Sequence, residues 1–329
     1  MFLSRWKLLR QDDTRKQLSG LGWFFLITII VHVAFSIAFS LLAQKGFTFP
    51  VEVSLVVSEL TILVPAFIYV LIKNLGFTKD IGFTPIKAGT FLMCVLLSVI
   101  ITPISSFVNV LSQFFVPNTM VAASDYLAAG SSPAVLFLGA IYGPLCEEFV
   151  FRGVLNNRYD KYIGPIRAGL VSSLFFALAH LNINQAAYTF VLGFILAVVN
   201  KAAGSIFASV TIHACINGGN IALLLMMTKA AKSLGGDVDL VSSAEAVRGS
   251  DIMYYMLAVT MMAAIVCTLL AIPCIAFIAK NEGRYDLLCD MFTKKGPKVR
   301  WITVSSALAI AFALFVMFGI GPVLRIIGG

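Results

Sequence analysis

Long apolar segments determine what this chain can fold into. They recur along its 329 residues, and most have the roughly 17–25 residues that a helix needs to cross a bilayer. Charged residues make up only 12% of the chain, whereas soluble domains carry about 25%. The segments are 21–43, 53–76, 89–115, 132–158, 166–181, 185–203, 205–228, 252–279 and 301–326. The sequence therefore predicts an all-α protein, a polytopic bundle of transmembrane helices.

The number of spans depends on one short break. Only Ala203-Gly204 divides the sixth segment from the seventh, so we predict about nine spans, with eight as the alternative. The 24 basic residues favour nine, because most of them then fall on the cytoplasmic side, including the clusters at 1–20 and 280–300. This arrangement predicts a cytoplasmic N-terminus and an outer C-terminus.

One apolar segment contains three charged residues, Glu147, Glu148 and Arg152. Each costs roughly 2.5–3.5 kcal/mol on insertion scales, so a use for them is expected. Glu148 and Arg152 are four residues apart, share a helix face and can pair. Glu147 points about 100° away and has no partner in this run, which suits a general base or a metal ligand. The alternative interpretation is a structural ion pair with one additional glutamate.

Further polar residues are predicted at the same depth. His180 ends the fifth segment, and His213 and Asn217 lie four apart in the seventh. Counted at 1.5 Å per residue, these side chains and Glu147 all lie roughly 14–21 Å from the inner surface. Phe176 precedes His180 by one helical turn, so its ring is expected to contact the imidazole. Three helices thus deliver a carboxyl group, two imidazoles and an amide to one layer.

Two other polar residues receive different interpretations. His32 lies in the first segment and is expected to be a satisfied packing residue. Glu59 lies in the second segment, nearer its outer end. A local structural role is predicted for Glu59, and a substrate or proton path is the alternative.

The polar pattern resembles a known family. Glu147-Glu148-x-x-x-Arg152, Phe176-x-x-x-His180 and His213-x-x-x-Asn217 are similar to the three ordered motifs of the CPBP intramembrane proteases. This family holds the type II CAAX prenyl endopeptidases and the Abi, or bacteriocin-processing, proteins. The resemblance spans about 132–228.

The resemblance implies hydrolysis of a peptide bond within the membrane. It assigns water activation to Glu147 and His180, an oxyanion hole to His213 and Asn217, and a supporting role to Glu148, Arg152 and Phe176. No cofactor is favoured. If the enzyme uses zinc, the ligands implied are Glu147, His180 and His213, with water as the fourth ligand. The metal-free mechanism is the one we favour.

The resemblance also divides the chain into three regions. Residues 1–131 are predicted to hold an N-terminal cytoplasmic segment and three accessory transmembrane helices. Residues 132–228 form the catalytic core, and 229–329 add an outer loop and two C-terminal transmembrane helices. The predicted partners are the lipid bilayer and a membrane-associated protein or peptide substrate, prenylated in the CAAX case; nucleic acid is not among them.

Two further expectations concern location and function. The protein is predicted to be an integral multi-pass membrane protein, in the plasma membrane if bacterial, with an active site reached from near the midplane. The alternative function is a transporter or bacteriocin-immunity-type binding protein that uses the same polar layer without proteolysis.

Overall fold

The computed structural model of the chain describes residues 2–233, 240–294, 296–297 and 299–320. Within these ranges every regular element is a helix, so the predicted all-α class is confirmed. Nine of the described helices coincide with the nine apolar segments, and we number them α1 to α9. Their bounds in chain order are Phe2–Gln44, Val51–Ile72, Ala88–Gln113, Ser132–Ile163, Pro165–Ala179, Ile183–Ala203, Ile206–Ser233, Asp251–Asn281 and Val304–Phe315.

Seven of these described helices are long and apolar enough to cross a membrane, whereas α5 and α9 are shorter apolar helices. The chain is therefore an integral membrane protein, and the count of nine spans and the cytoplasmic N-terminus stay predictions. The end of the last predicted span and the predicted outer C-terminus fall within 321–329, which lies outside the described residues. Residues 234–239 of the predicted outer loop also lie outside them.

The uncertain break between the sixth and seventh segments is a real helix boundary. Helix α6 ends at Ala203, and Gly204 adopts a left-handed conformation with a φ of 69°. Glycine tolerates this conformation because it has no Cβ. A Cβ on Gly204 would also lie 2.6 Å from Cζ of Arg284. The turn then allows α7 to begin at Ile206, so the two segments are separate helices.

Helix α4 changes its winding around the acidic pair. An α-helical stretch, Gly143–Glu148, is flanked by two π-helical stretches, Leu138–Tyr142 and Phe149–Asn156. Pro144 has no backbone N–H to donate to the preceding turn, which favours an irregular winding there. Inserted π-helical turns occur frequently at functional sites. The irregular winding thus places Glu147 and Glu148 at the end of a short α-helical stretch.

Turns between the helices gather on a face rich in basic side chains, which we call the basic face. It holds the connections α2–α3, α4–α5 and α6–α7, and the segment after α8. Hydrogen bonds join these connections: Asn157 Nδ2 to the Ile81 carbonyl at 2.9 Å, Ile206 N to the Gly82 carbonyl at 3.0 Å, and Lys87 N to the Glu282 carboxylate at 2.9 Å. The Lys161 ammonium donates to Asp80 and holds the pKa of that carboxyl below its usual range. The basic face is the predicted cytoplasmic face.

The opposite face holds the other ends of the helices and two short helices, Thr119–Ala122 and Ser124–Ala129. Its hydrogen bonds are Ser131 N to Glu52 at 2.6 Å, Thr119 N to Asn184 at 3.1 Å, and Arg248 Nε to the Gln113 carbonyl at 3.1 Å. The first two contacts hold the start of α4 and the short helices over the ends of α2 and α6 on this face. The two faces thus differ in both charge and chain connections.

Cysteine labelling tests the orientation of these two faces. Ala246, in helix Leu240–Val247 beyond α7, and the native Cys289, in helix Tyr285–Thr293 after α8, are both exposed. In intact cells a membrane-impermeant thiol reagent should label Ala246→Cys, whereas Cys289 should react only after permeabilisation. Wild type and Cys289→Ser are the background controls. Labelling of Cys289 in intact cells, with Ala246→Cys protected, would reverse the predicted topology.

Candidate active site

The predicted catalytic residues line one cavity. It has a volume of about 480 Å³ and lies among helices α1 to α7, with the two short helices of the opposite face at one side. Glu147, His180, His213 and Asn217 all line it, although they come from α4, the end of α5 and α7. The remaining three predicted site residues, Glu148, Arg152 and Phe176, lie behind the cavity wall and are fully buried.

Both imidazoles direct Nε2 toward the carboxylate of Glu147. His180 Nδ1 lies 2.9 Å from the Phe176 carbonyl oxygen, which can only accept, so Nδ1 carries the hydrogen. His180 Nε2 is then 3.8 Å from Glu147 Oε1, and His213 Nε2 is 3.4 Å from Glu147 Oε2. The first separation is too long for a direct hydrogen bond. The Glu147 side chain is 16% exposed, and this exposed part faces the cavity.

Glu148 occupies the position behind His213 and forms the predicted pair with Arg152. Its Oε1 atom is 2.9 Å from His213 Nδ1, and its Oε2 atom is 3.2 Å from Arg152 Nε. The side chains of Glu148 and Arg152 are both 0% exposed. The approach of Arg152 Nε does not meet hydrogen-bond geometry, and neither terminal nitrogen of the guanidinium has a partner among the described residues. Coulomb attraction therefore dominates this pair.

The ring of Phe176 joins the two histidines to the buried pair. It meets His180 edge to face, with centroids 5.0 Å apart, and His213 in the same way at 5.7 Å. The guanidinium carbon of Arg152 lies 4.5 Å from the ring centroid, so Phe176 makes a cation–π contact with it. Spacing alone predicts only the contact with His180. The other two contacts depend on how α4, α5 and α7 pack together.

Asn217 lies one helical turn beyond His213 on α7. Its side-chain Nδ2 donates to the backbone carbonyl of Gly139 over 3.4 Å, a long contact to the first π-helical stretch of α4. Asn217 therefore reaches the cavity from the helix that carries His213, and its amide also contacts the helix that carries Glu147. The sequence predicts this shared depth, and the contact with Gly139 comes from the packing.

His32 and Glu59, which the sequence did not assign to the catalytic site, also line the cavity. His32, which was expected to be a satisfied packing residue, has a partner on α2, because its Nδ1 atom lies 2.6 Å from Thr61 Oγ1. Spacing within α1 could not show a partner on another helix. Glu59 lines the cavity from α2. The signal for both was the one used for the other site residues, a polar side chain within an apolar span.

The zinc alternative requires three ligands around one point. Within the described residues, no group of three or more His, Cys, Asp or Glu side chains is arranged to hold a metal ion. The zinc alternative and the metal-free mechanism both stay predictions, which metal removal separates.

Taken together, the fold and the cavity define a class: an integral membrane protein whose apolar helices enclose a cavity lined in part by ionisable side chains. Residues 129–219 match the family model of the Type II CAAX prenyl endopeptidase Rce1-like proteins. This segment contains all seven predicted site residues, and the match confirms the resemblance to the CAAX protease family. It supports a CAAX-type intramembrane endopeptidase. No curated protein and no solved structure gives a significant match to the chain.

Proposed function

We propose that this protein is an intramembrane endopeptidase that hydrolyses a peptide bond of a membrane-associated protein or peptide precursor. The observation that carries the proposal is the convergence of two imidazole Nε2 atoms on one carboxylate, Glu147, in a cavity between apolar helices. The family match over the same segment supports it. The transporter or immunity-protein alternative needs the same polar layer and predicts no new peptide termini.

Glu147 and His180 would activate the attacking water. The lone pair of His180 Nε2 and the Glu147 carboxylate face each other across 3.8 Å, so one water can donate a hydrogen bond to each. Glu147 takes one proton as the water oxygen bonds to the carbonyl carbon of the substrate. The carbon–nitrogen bond then breaks, and the proton passes from Glu147 to the departing nitrogen. The products are a carboxylic acid and an amine, which become a carboxylate and an ammonium group when the acid transfers its remaining proton to the amine.

His213 and Asn217 would stabilise the oxyanion. His213 Nδ1 faces Glu148, so Nε2 on the other side of the ring faces the cavity, and donation from both nitrogens requires a hydrogen on each. The Asn217 side chain supplies a second N–H donor one helical turn away. Two donors placed where negative charge develops lower the barrier because they are in position before the reaction.

Glu148, Arg152 and Phe176 would support the site without touching the substrate. Glu148 orients His213, and Arg152 balances the charge of Glu148. Phe176 packs against both imidazoles. The rings are thus restricted to orientations in which Nε2 faces Glu147, and precise placement of reacting groups accounts for much of enzymatic rate enhancement.

The cavity's position bears on where the substrate is cleaved. It is lined by the first halves of α2, α4 and α6, which begin at the face opposite the basic one, and by the short helices of that face. On the predicted topology this is the outer half of the membrane, and in a bacterium the membrane is the plasma membrane. A membrane-inserted or exported protein is then a better substrate than a prenylated protein on the cytoplasmic leaflet.

New protein termini test this function and identify the substrate. Membranes from cells that carry wild-type protein should contain new N-termini that are missing from cells carrying Glu147→Gln at equal abundance. The sequence around one such terminus supplies a synthetic substrate, which we call the mapped peptide. Identical sets of termini in the two membranes would remove the basis for a protease.

Removing one oxyanion donor should slow cleavage strongly. Asn217→Ala is expected to lower kcat for the mapped peptide by about 10²–10³-fold with little change in KM, because the donor acts on charge that develops in the transition state. Asn220→Ala, a cavity-lining change one turn further along α7, is the matched control. A fall in kcat of less than tenfold for Asn217→Ala would exclude it from the oxyanion hole.

Metal removal separates the two mechanisms. If Glu147 and His180 activate water alone, treatment with a strong chelator should leave cleavage of the mapped peptide unchanged. Metal analysis of the purified protein should then find far less than one zinc per chain. A zinc protease treated in parallel controls for the chelator. One tightly held zinc, with activity lost on its removal and restored by its return, would overturn the metal-free mechanism.

A further inference from the structure

The catalytic cavity contains a second carboxyl group that the proposed reaction does not use. Glu59 lines the cavity from α2, and its Oε2 atom is buried without a hydrogen-bond partner among the described residues. Carboxyl groups within membrane spans are costly and usually pair with a cation or line a functional path. An unpartnered carboxyl oxygen beside a cavity therefore points to a ligand that supplies the partner.

The wall of the cavity supplies no such partner. Its described lining contains two carboxyl groups, Glu59 and Glu147, and neither lysine nor arginine. Arg152 lies behind the wall and is already paired with Glu148. Three imidazoles also line the cavity, but His180 and His213 face Glu147, and His32 contacts Thr61. A cation that partners Glu59 would therefore come from a bound molecule.

A second unpartnered group lines the same cavity. Ser105 on α3 is 8% exposed, and its hydroxyl oxygen has no hydrogen-bond partner among the described residues. A hydroxyl oxygen can accept a hydrogen bond from the cation that a carboxylate attracts. Glu59 and Ser105 thus each present an unpartnered acceptor oxygen at the wall of the same cavity, one from α2 and one from α3.

The distance along α4 from Gly143 to Glu147 shows how far Glu59 lies from the proposed catalytic carboxylate. A Cβ on Gly143 would lie 3.6 Å from Glu59 Oε1, so Glu59 is beside Gly143. Gly143 precedes Glu147 by four residues, about 6 Å along an α-helix. An extended peptide advances about 3.3 Å per residue. Glu59 therefore lies within about two substrate residues of the bond that Glu147 would attack.

We propose that Glu59 forms a specificity subsite for a cationic group of the substrate, the ammonium of a lysine or the guanidinium of an arginine, within about two residues of the cleaved bond, with Ser105 as a further acceptor on the cavity wall. This inference rests on the proposed protease function.

Substituted peptides test the subsite. Each position within two residues of the cleaved bond of the mapped peptide is occupied in turn by lysine, arginine or norleucine, which keeps the length of lysine without its charge. At one position the wild type should cleave the lysine or arginine peptide with a kcat/KM at least about tenfold above the norleucine peptide. In Glu59→Gln this ratio should fall to within about twofold, with the norleucine peptide cleaved at close to the wild-type rate.

The controls separate this subsite from other roles of Glu59. Ser58→Ala, which alters the adjacent cavity-lining residue, should keep the wild-type ratio, and Ser105→Ala should lower it partly. A wild type without preference for a basic residue, or Glu59→Gln with an unchanged ratio, would overturn the subsite. If Glu59→Gln lowered kcat/KM equally for all peptides, the subsite would also be overturned. Glu59 would then act in the chemistry or in the folding of the protein. Failure of the wild type to cleave any peptide would instead remove the protease function.

An inorganic cation is the other source of positive charge at this position. The wild-type measurements are therefore repeated with choline in place of sodium and potassium. An unchanged preference for lysine and arginine supports the substrate as the source. A rate that requires sodium or potassium, without preference for a basic residue, would contradict the subsite.

Discussion

Glu147→Gln is expected to abolish peptide-bond cleavage while the protein stays folded. Glutamine keeps the shape of the side chain and can still form hydrogen bonds in the cavity, but it cannot accept a proton from water. Loss of a general base typically lowers the rate by about 10²–10⁴-fold. The substitution also removes a charge from a largely buried position, so the thermal unfolding temperature in detergent should stay the same or rise.

The measurement compares kcat for the mapped peptide with the unfolding temperature of the same purified samples. Glu245→Gln makes the same chemical change at an exposed position on the opposite face and is the control. It should match the wild type in both measurements. A fully active Glu147→Gln protein would falsify the proposed mechanism and favour the transporter or immunity-protein alternative.

Breaking the buried pair should destabilise the protein as well as inactivate it. Glu148 and Arg152 are both inaccessible to solvent, so removal of either charge leaves the other without its partner. Such changes typically cost about 3–5 kcal/mol. Arg152→Ala also removes the cation from the ring of Phe176 and leaves a cavity. Glu148→Gln weakens the acceptor that orients His213.

Thermal unfolding and cleavage, measured together, separate these effects from those at Glu147. Arg152→Ala and Glu148→Gln should each lower the unfolding temperature and the rate, whereas Arg15→Ala at an exposed position should change neither. A double variant with Glu148→Met and Arg152→Met should be less destabilised than either single variant, because neither charge is left unpaired. It should still be inactive. Single variants as stable as the wild type would show that the pair contributes little to folding.

The sequence was sufficient to predict the features that depend on one helix at a time. Apolar length located α1 to α9, although α1 begins at Phe2 rather than near residue 21. Spacing of four residues predicted the pairing of Glu148 with Arg152 and the contact of Phe176 with His180. Depth along the helices indicated that residues of α4, α5 and α7 would meet. These rules hold because helix geometry is regular.

Features that depend on the rotation of one helix against another could not be predicted in this way. The contact of His32 with Thr61 and the position of Glu59 in the cavity require α1, α2 and α4 to meet through particular faces. The π-helical stretches of α4 add a local change of winding that spacing rules do not include. A single sequence carries no direct record of either property.

Isotope labelling tests the central claim most directly, namely that the cavity adds water to a peptide bond. Purified wild-type protein in lipid vesicles is incubated with the mapped peptide in ¹⁸O-labelled water, and both products are analysed by mass spectrometry. The new carboxyl group should contain one ¹⁸O atom, the new amine product none, and vesicles carrying Glu147→Gln should yield neither product. Intact peptide after incubation with the wild type, or equal product from Glu147→Gln vesicles, would contradict the claim.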